Sequence, residues 1–317
     1  MDEVQDKWIC GFWKRIGALL LDTFILGVIG FALGFFLEST FAQIGSWGKL
    51  IGFIIAVIYF GLMNSAIFNG QTVGKKVFDI RVVDAANRAI SLPKSILRYS
   101  ILAMPFFLNG AQVHNDALLA YLIYPFSIIL FGGLFAISYL YIFNRATRQS
   151  LHDLVVGTYV VNSAAAQTDT DKVWKPHLVL VLVCFIVAGL APAFTAKVTR
   201  PDQSEQLKNL FSTKEELSSI PSVKYVGITD SAKKTIATNA ETRITTYVKA
   251  RVFLEHNVVD DRAFAEKLAQ VIANSYPDST DRNLIQVTLI YGYDIGIWSL
   301  WYRHDHLFNP IEVLFLD

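Results

Sequence analysis

Arg15 and Asp22 stand at the head of a long apolar run, the arginine at its edge and the aspartate inside it. A lone acid within a membrane span costs on the order of 3 kcal/mol on insertion scales, which makes Asp22 a functional-site candidate by default. Seven residues are two helical turns, so the pair shares a face about 10.5 Å apart along the axis, too far for an easy ion pair. Helical side chains lean toward the N-terminus, and Arg15 is therefore expected to snorkel to the headgroups. Asp22 must then find donors elsewhere, and Asn64 and Ser65 of the second apolar run lie at comparable depth. His152 or Arg148 reaches it only if that segment folds back. An acid so placed suits a proton-coupled carrier, with a structural network that holds the bundle together as the equal alternative.

Other candidates are local. Leu151-His152-Asp153-Leu154 is short enough for a simple cap or turn around Asp153. Gly70-Gln71-Thr72-Val73-Gly74-Lys75-Lys76 superficially matches a phosphate-binding loop, but only three residues separate its glycines and no Ser or Thr follows the lysine. It reads as a turn at the surface of the lipid bilayer whose Lys75 meets lipid phosphates, with Gly70, Thr72 and Gly74 shaping it. His304-Asp305-His306 puts two imidazoles on one side of a strand without a third ligand nearby, so an exposed pair is favoured over a metal site. No nucleophile triad and no dinucleotide fingerprint is present. No enzyme activity, cofactor or metal is expected.

The elements that must position these residues follow from composition. The 317-residue chain is 53% hydrophobic and 17% charged, against about 25% charged in soluble domains, and a net charge of +1 gives no footprint for nucleic acid. A span needs roughly 20 apolar residues; runs 16–37, 50–68, 118–143 and 178–196 meet that length. A fifth, 99–113, holds Pro105, Asn109 and Gly110 and reaches only about 22 Å. Short cytoplasmic loops are rich in Lys and Arg. The basic residues before the first run, around Lys75 to Arg98, and from Arg145 to Lys175 share the cytoplasm only if 99–113 crosses, giving about five spans and an outer C-terminus. The first run is too long for a cleavable signal and reads as an anchor. Segments 77–84 and 154–161 alternate as strands do, and either pair or lie in the interface.

Together these features resemble the RDD family: an arginine opening the first helix, an aspartate within it, G-x-T-x-G-K after the second, and a later His-Asp. Here these are Arg15, Asp22, Gly70-Gln71-Thr72-Val73-Gly74-Lys75 and His152-Asp153, over about residues 8–162. The resemblance implies a transport role, while the span 178–196 and everything after it lie outside the family's usual pattern.

Beyond residue 200, short alternating segments predict a soluble α+β unit: helices over 204–219 and 260–276, strands over 223–228, 242–255, 284–291 and 295–302, the last two joined through Gly292-Tyr293-Asp294. Asp260 or Asp261 caps the second helix, and Leu268 belongs to its core face. The expected architecture is an all-α polytopic membrane bundle of residues 1–165, a linker and last span of 166–199, and a small α+β extramembrane domain of 200–317. Two functions follow. One is transport of a small ion or solute through a homo-oligomer, or with a membrane partner protein, in the inner membrane of a bacterium. The other is a membrane-anchored sensor or assembly protein whose outer periplasmic domain binds a partner.

Overall fold

The structure, a computed structural model, describes residues 7–110, 116–169, 171–198, 205–235 and 243–315. Residues 111–115, which include the end of the 99–113 run, and the start of the C-terminal part fall outside these. The chain divides into two compact units, the first made of Met1–Leu37, Ile44–Val198 and Asp294–Ser299, the second of Glu38–Gln43, Thr199–Tyr293 and Leu300–Asp317.

In the first unit, α1 (Phe12–Ile44) leaves helical geometry at Leu37. It is followed by α2 (Gly48–Met63), the short α3 (Val73–Val77), β1 (Ile80–Asp84) and α4 (Leu92–Leu108). Next, α5 (Asp116–Ser127) runs through a π-helical segment, Ile128–Gly133, into α6 (Leu134–Phe143). The short α7 (Leu151–Val156), β2 (Thr158–Asn162) and α8 (Lys175–Val198) complete the unit. Among the described residues, three helical stretches are long and apolar enough to cross a membrane: Phe12–Ile44, Tyr121–Phe143 and Lys175–Thr195. They leave large apolar side chains such as Phe24, Phe135 and Ile186 uncovered, which suits a hydrocarbon surrounding and would be costly in water. With 16 and 17 residues, α2 and α4 reach about 24 and 26 Å. Helix length thus supports three spans rather than about five.

The bundle is also not all-α. β1 and β2 pair antiparallel, from Ile80 opposite Asn162 to Asp84 opposite Thr158. The other edge of β2 takes residues 8–10, through Cys10 N–H to Val160 O at 3.0 Å and Asn162 N–H to Trp8 O at 2.9 Å. Both strand expectations, 77–84 and 154–161, begin too early. β1 starts only at Ile80 because α3, capped by the Thr72 side chain at the Lys75 N–H, runs to Val77. Residues 151–156 are helical because Ser150 and Asp153 form a reciprocal capping box; Gly157, at φ 62°, then turns the chain into β2.

The second unit holds, among the described residues, a four-stranded sheet of β3 (Val223–Thr235), β4 (Arg243–Leu254), β5 (Leu284–Asp294) and β6 (Ser299–Phe308), in that spatial order. β3 and β4 are antiparallel, β4 and β5 parallel. The parallel step needs a crossover. With α9 (Glu205–Ser218) placed before the sheet, α10 (Arg262–Ser275) supplies that crossover, capped by Asp261, and α11 (Pro310–Leu314) follows β6. Leu268, Ala269 and Ile272 of α10 share one buried core with Val248, Ala250 and Val252 of β4 and with Leu289 of β5.

Ala42, at the far end of α1, belongs to this core too, and its carbonyl accepts a hydrogen bond from Lys224 Nζ. Residues 38–43 therefore complete a core that the sequence assigns to residues 200–317 alone. The β5–β6 turn falls at 295–298 rather than 292–294, since β5 runs on to Asp294.

Candidate functional site

Asp22 is fully buried, and three donors converge on it. Tyr59 donates its hydroxyl proton to Oδ1 at 2.7 Å, the Gly74 N–H donates to Oδ1 at 2.8 Å, and Thr72 donates to Oδ2 at 2.5 Å. The glycine motif explains why they meet. Gly70 has φ 73°, and a Cβ there would collide with the Val82 carbonyl. A Cβ on Gly74 would collide with the Ala18 carbonyl, so only glycine lets α3 dock on α1. Thr72 caps α3 through Lys75 N–H while its own proton goes to Asp22. The carboxyl thus sits where free helix N–H groups favour an acceptor.

A second buried acid lies nearby in α7. Asp153 Oδ1 accepts from Arg98 Nε at 2.9 Å and Nη2 at 2.6 Å, and Oδ2 accepts from Arg15 Nη2 at 2.8 Å. Thr158 Oγ1 and the Ser150 N–H add further donors. Burial acts to raise the Asp153 carboxyl, but Arg98 and Arg15 outweigh it and hold it well below the usual carboxylate range. His152 is buried against this group, and burial pushes its imidazole down to about 3.

The Asp153 network, through Arg15, Arg98 and His152, borders a cavity of about 610 Å³, within the size range of small-molecule sites. Arg15, Lys75, Arg98 and His152 line it together with Asn64, and among the described residues no acidic side chain does. Phe60 and Tyr99 stack in its wall with centroids 4.3 Å apart. Lys75 is half-buried there, its Nζ 5.9 Å from the Phe60 ring centroid. Burial and the Arg98 charge push its ammonium down to about 7.

The model of the RDD family matches residues 9–157. Residues 9–157 are an RDD family domain. Two relatives from Bacillus subtilis (strain 168) align with about half of the chain. Uncharacterized protein YckC is 27% identical over 162 residues, covering 51% of this chain and 89% of its own length. Uncharacterized protein YxaI is 25% identical over 173 residues, covering 48% of this chain and 95% of its own. No solved structure matches.

Within the RDD domain, several sequence expectations change. Arg15 turns inward rather than to the headgroups, because α7 folds back and offers Asp153; it is 8% exposed. Asn64 does not serve Asp22: its Nδ2 donates to Phe60 O at 2.9 Å, capping its own helix, and Ser65 Oγ likewise returns to Leu62 O. The motif expected to face lipid faces the protein, with Gly70, Thr72 and Gly74 buried and Lys75 on the cavity, while Lys76 is the exposed lysine. Tyr59 and Arg98 escape the sequence reading. Arg98 counts there only as loop charge, although its place one residue before an apolar run is a usable signal. In the second unit, His304 Nδ1 lies 2.5 Å from Asp260 Oδ1, while His306 is buried with Nε2 2.8 Å from Val259 O. They are not an exposed pair. Among the described residues no cluster of three or more His, Cys, Asp or Glu could hold a metal.

Proposed function

We propose that the RDD domain carries a small solute across a bacterial inner membrane, working as an oligomer. The observation that carries this reading is the cavity inside the bundle, lined by Arg15, Lys75 and Arg98. Intramembrane charges that face a cavity mark solute pathways. Five helices are few to enclose a path, hence the oligomer. Reconstituted in sealed vesicles, the full chain should move at least one member of a panel of small ions and organic solutes faster than empty vesicles do. Flux equal to that of empty vesicles for every member would overturn the reading.

The same reading includes five crossings, a cytoplasmic N-terminus and an outer C-terminal unit. Backbone pairing supports it: β2 bonds residues 8–10 on one edge and β1 on the other, so all three belong on one side of the bilayer. That needs α2 to return the chain after α1, and α4 and α5–α6 to make a second round trip. α8 then leaves for the far side. A reporter active only in the cytoplasm, fused after Asp317, should be silent, and strong activity would overturn this arrangement.

A further inference from the structure

We infer that the cavity of the RDD domain binds a single-chain anionic amphiphile, its carboxylate or phosphate head at Lys75 and its alkyl chain along the apolar wall. This rests on the carrier reading above and names its substrate class. The cavity is charged at one end only. Arg15 opens α1, Asn64 follows α2, Arg98 lies in the first turns of α4, and Lys75 sits in α3 between them. From there the wall continues along α1 to Leu26 and along α4 to Phe107, about 16 and 14 Å at 1.5 Å per residue. A small inorganic anion would leave that apolar length empty, whereas an alkyl chain fills it and gains the burial.

The sign of the head follows from the wall. Arg15 and Arg98 already share Asp153, but the Lys75 ammonium makes no ion pair and no hydrogen bond among the described residues. No carboxylate among them lines the cavity to receive it. Two buried polar atoms on the lining residues, Asn64 Oδ1 and His152 Nδ1, also have no partner among the described residues. A bound anion would answer the ammonium, and a protonated or hydroxylated head would answer these two atoms as well.

The test is saturable binding of radiolabelled decanoate to the full chain in a non-ionic detergent. Decyl phosphate should compete, whereas decyltrimethylammonium and acetate should not. Lys75→Met should weaken binding about tenfold or more, the scale of one charge-assisted hydrogen bond, and Lys75→Arg should retain it. Unchanged binding in Lys75→Met, or equal competition by decyltrimethylammonium, overturns the inference. Should Lys75→Met fail to fold, Leu26→Trp reads the other end: it shortens the apolar wall and should weaken decanoate more than hexanoate, and equal loss of both overturns the proposal. Anion binding without flux of any solute would reject the carrier and keep the site. Flux of a cation without anion binding would reject the site and keep the carrier.

Discussion

Asp22 and Gly74 meet across 52 residues of chain, the Gly74 N–H donating to Oδ1 at 2.8 Å while a Cβ on residue 74 would lie 3.0 Å from the Asp22 carboxyl carbon. Close contact and hydrogen bond alike depend on the absence of a side chain at 74. Gly74→Ala must push α3 off α1, at about 1–3 kcal/mol for overpacking. Asp22→Asn keeps one acceptor oxygen and turns the other into a donor, which must face either Thr72 or the Tyr59 hydroxyl with the Gly74 N–H, and leaving a buried polar group unmatched costs about 1–3 kcal/mol. Both variants should melt below wild type in detergent, with exposed Lys76→Ala as the control. A Gly74→Ala protein that melts with the control would mean that the motif is not docked on α1.

Arg15, Arg98 and Asp153 behave as one unit, because a single carboxylate answers two guanidinium groups. Removing the acid strands both cations in a buried place, so Asp153→Asn should cost about 3–5 kcal/mol. Arg98→Met in that background should cost less than it does in wild type, with a coupling of roughly 0.5–3 kcal/mol. Thermal unfolding of the two single variants and the double variant measures it; strict additivity would dissolve the unit.

What is legible in the sequence is short-range. The apolar runs 16–37, 118–143 and 178–196, the Asp261 cap and the core face containing Leu268 all rest on spacing within one element, and they stand in the structure. The pairing of Arg15 with Asp153 spans 138 residues, and no local pattern encodes it. Considered on its own helix, Arg15 belongs at the headgroups; only the return of α7 turns it inward. Residues 151–156 mislead for a different reason. The alternation over 154–161 outweighs a Ser150 and Asp153 capping signal that is equally visible.

Lys75 should make stability depend on pH. Its folded value is about 7, against 10.5 for the free side chain, so between these values the unfolded chain binds more protons and stability rises with pH. Below about pH 7 both states carry the proton and burying the charge costs most. Lys75→Met removes that cost, so the variant should gain melting temperature over wild type near pH 6, and the gain should shrink toward pH 10. A gain that is flat with pH would show that Lys75 is not desolvated.

In the second unit the sign is reversed. Burial acts to raise the Asp230 carboxyl, but Arg282, with Nε at 2.8 Å from Oδ1 and Nη2 at 2.7 Å from Oδ2, and the Tyr276 hydroxyl at 2.6 Å hold it below its ordinary value. Tyr276 in turn is pushed up to about 12, by burial first and then by Asp230, so it keeps the proton it donates. A depressed acid stabilises the fold above its unfolded value of about 3.9, and that contribution is lost as pH falls through the folded value. Protection of β3 and β5 amides against hydrogen exchange should therefore fall in wild type as pH drops below about 4. Asp230→Asn should already be less protected at neutral pH, by roughly the 1.5–3 kcal/mol of a hydrogen bond to a charged group, and should show little further change on acidification. Parallel acid profiles for the two proteins would place the acid sensitivity of this sheet outside the Asp230–Arg282 pair.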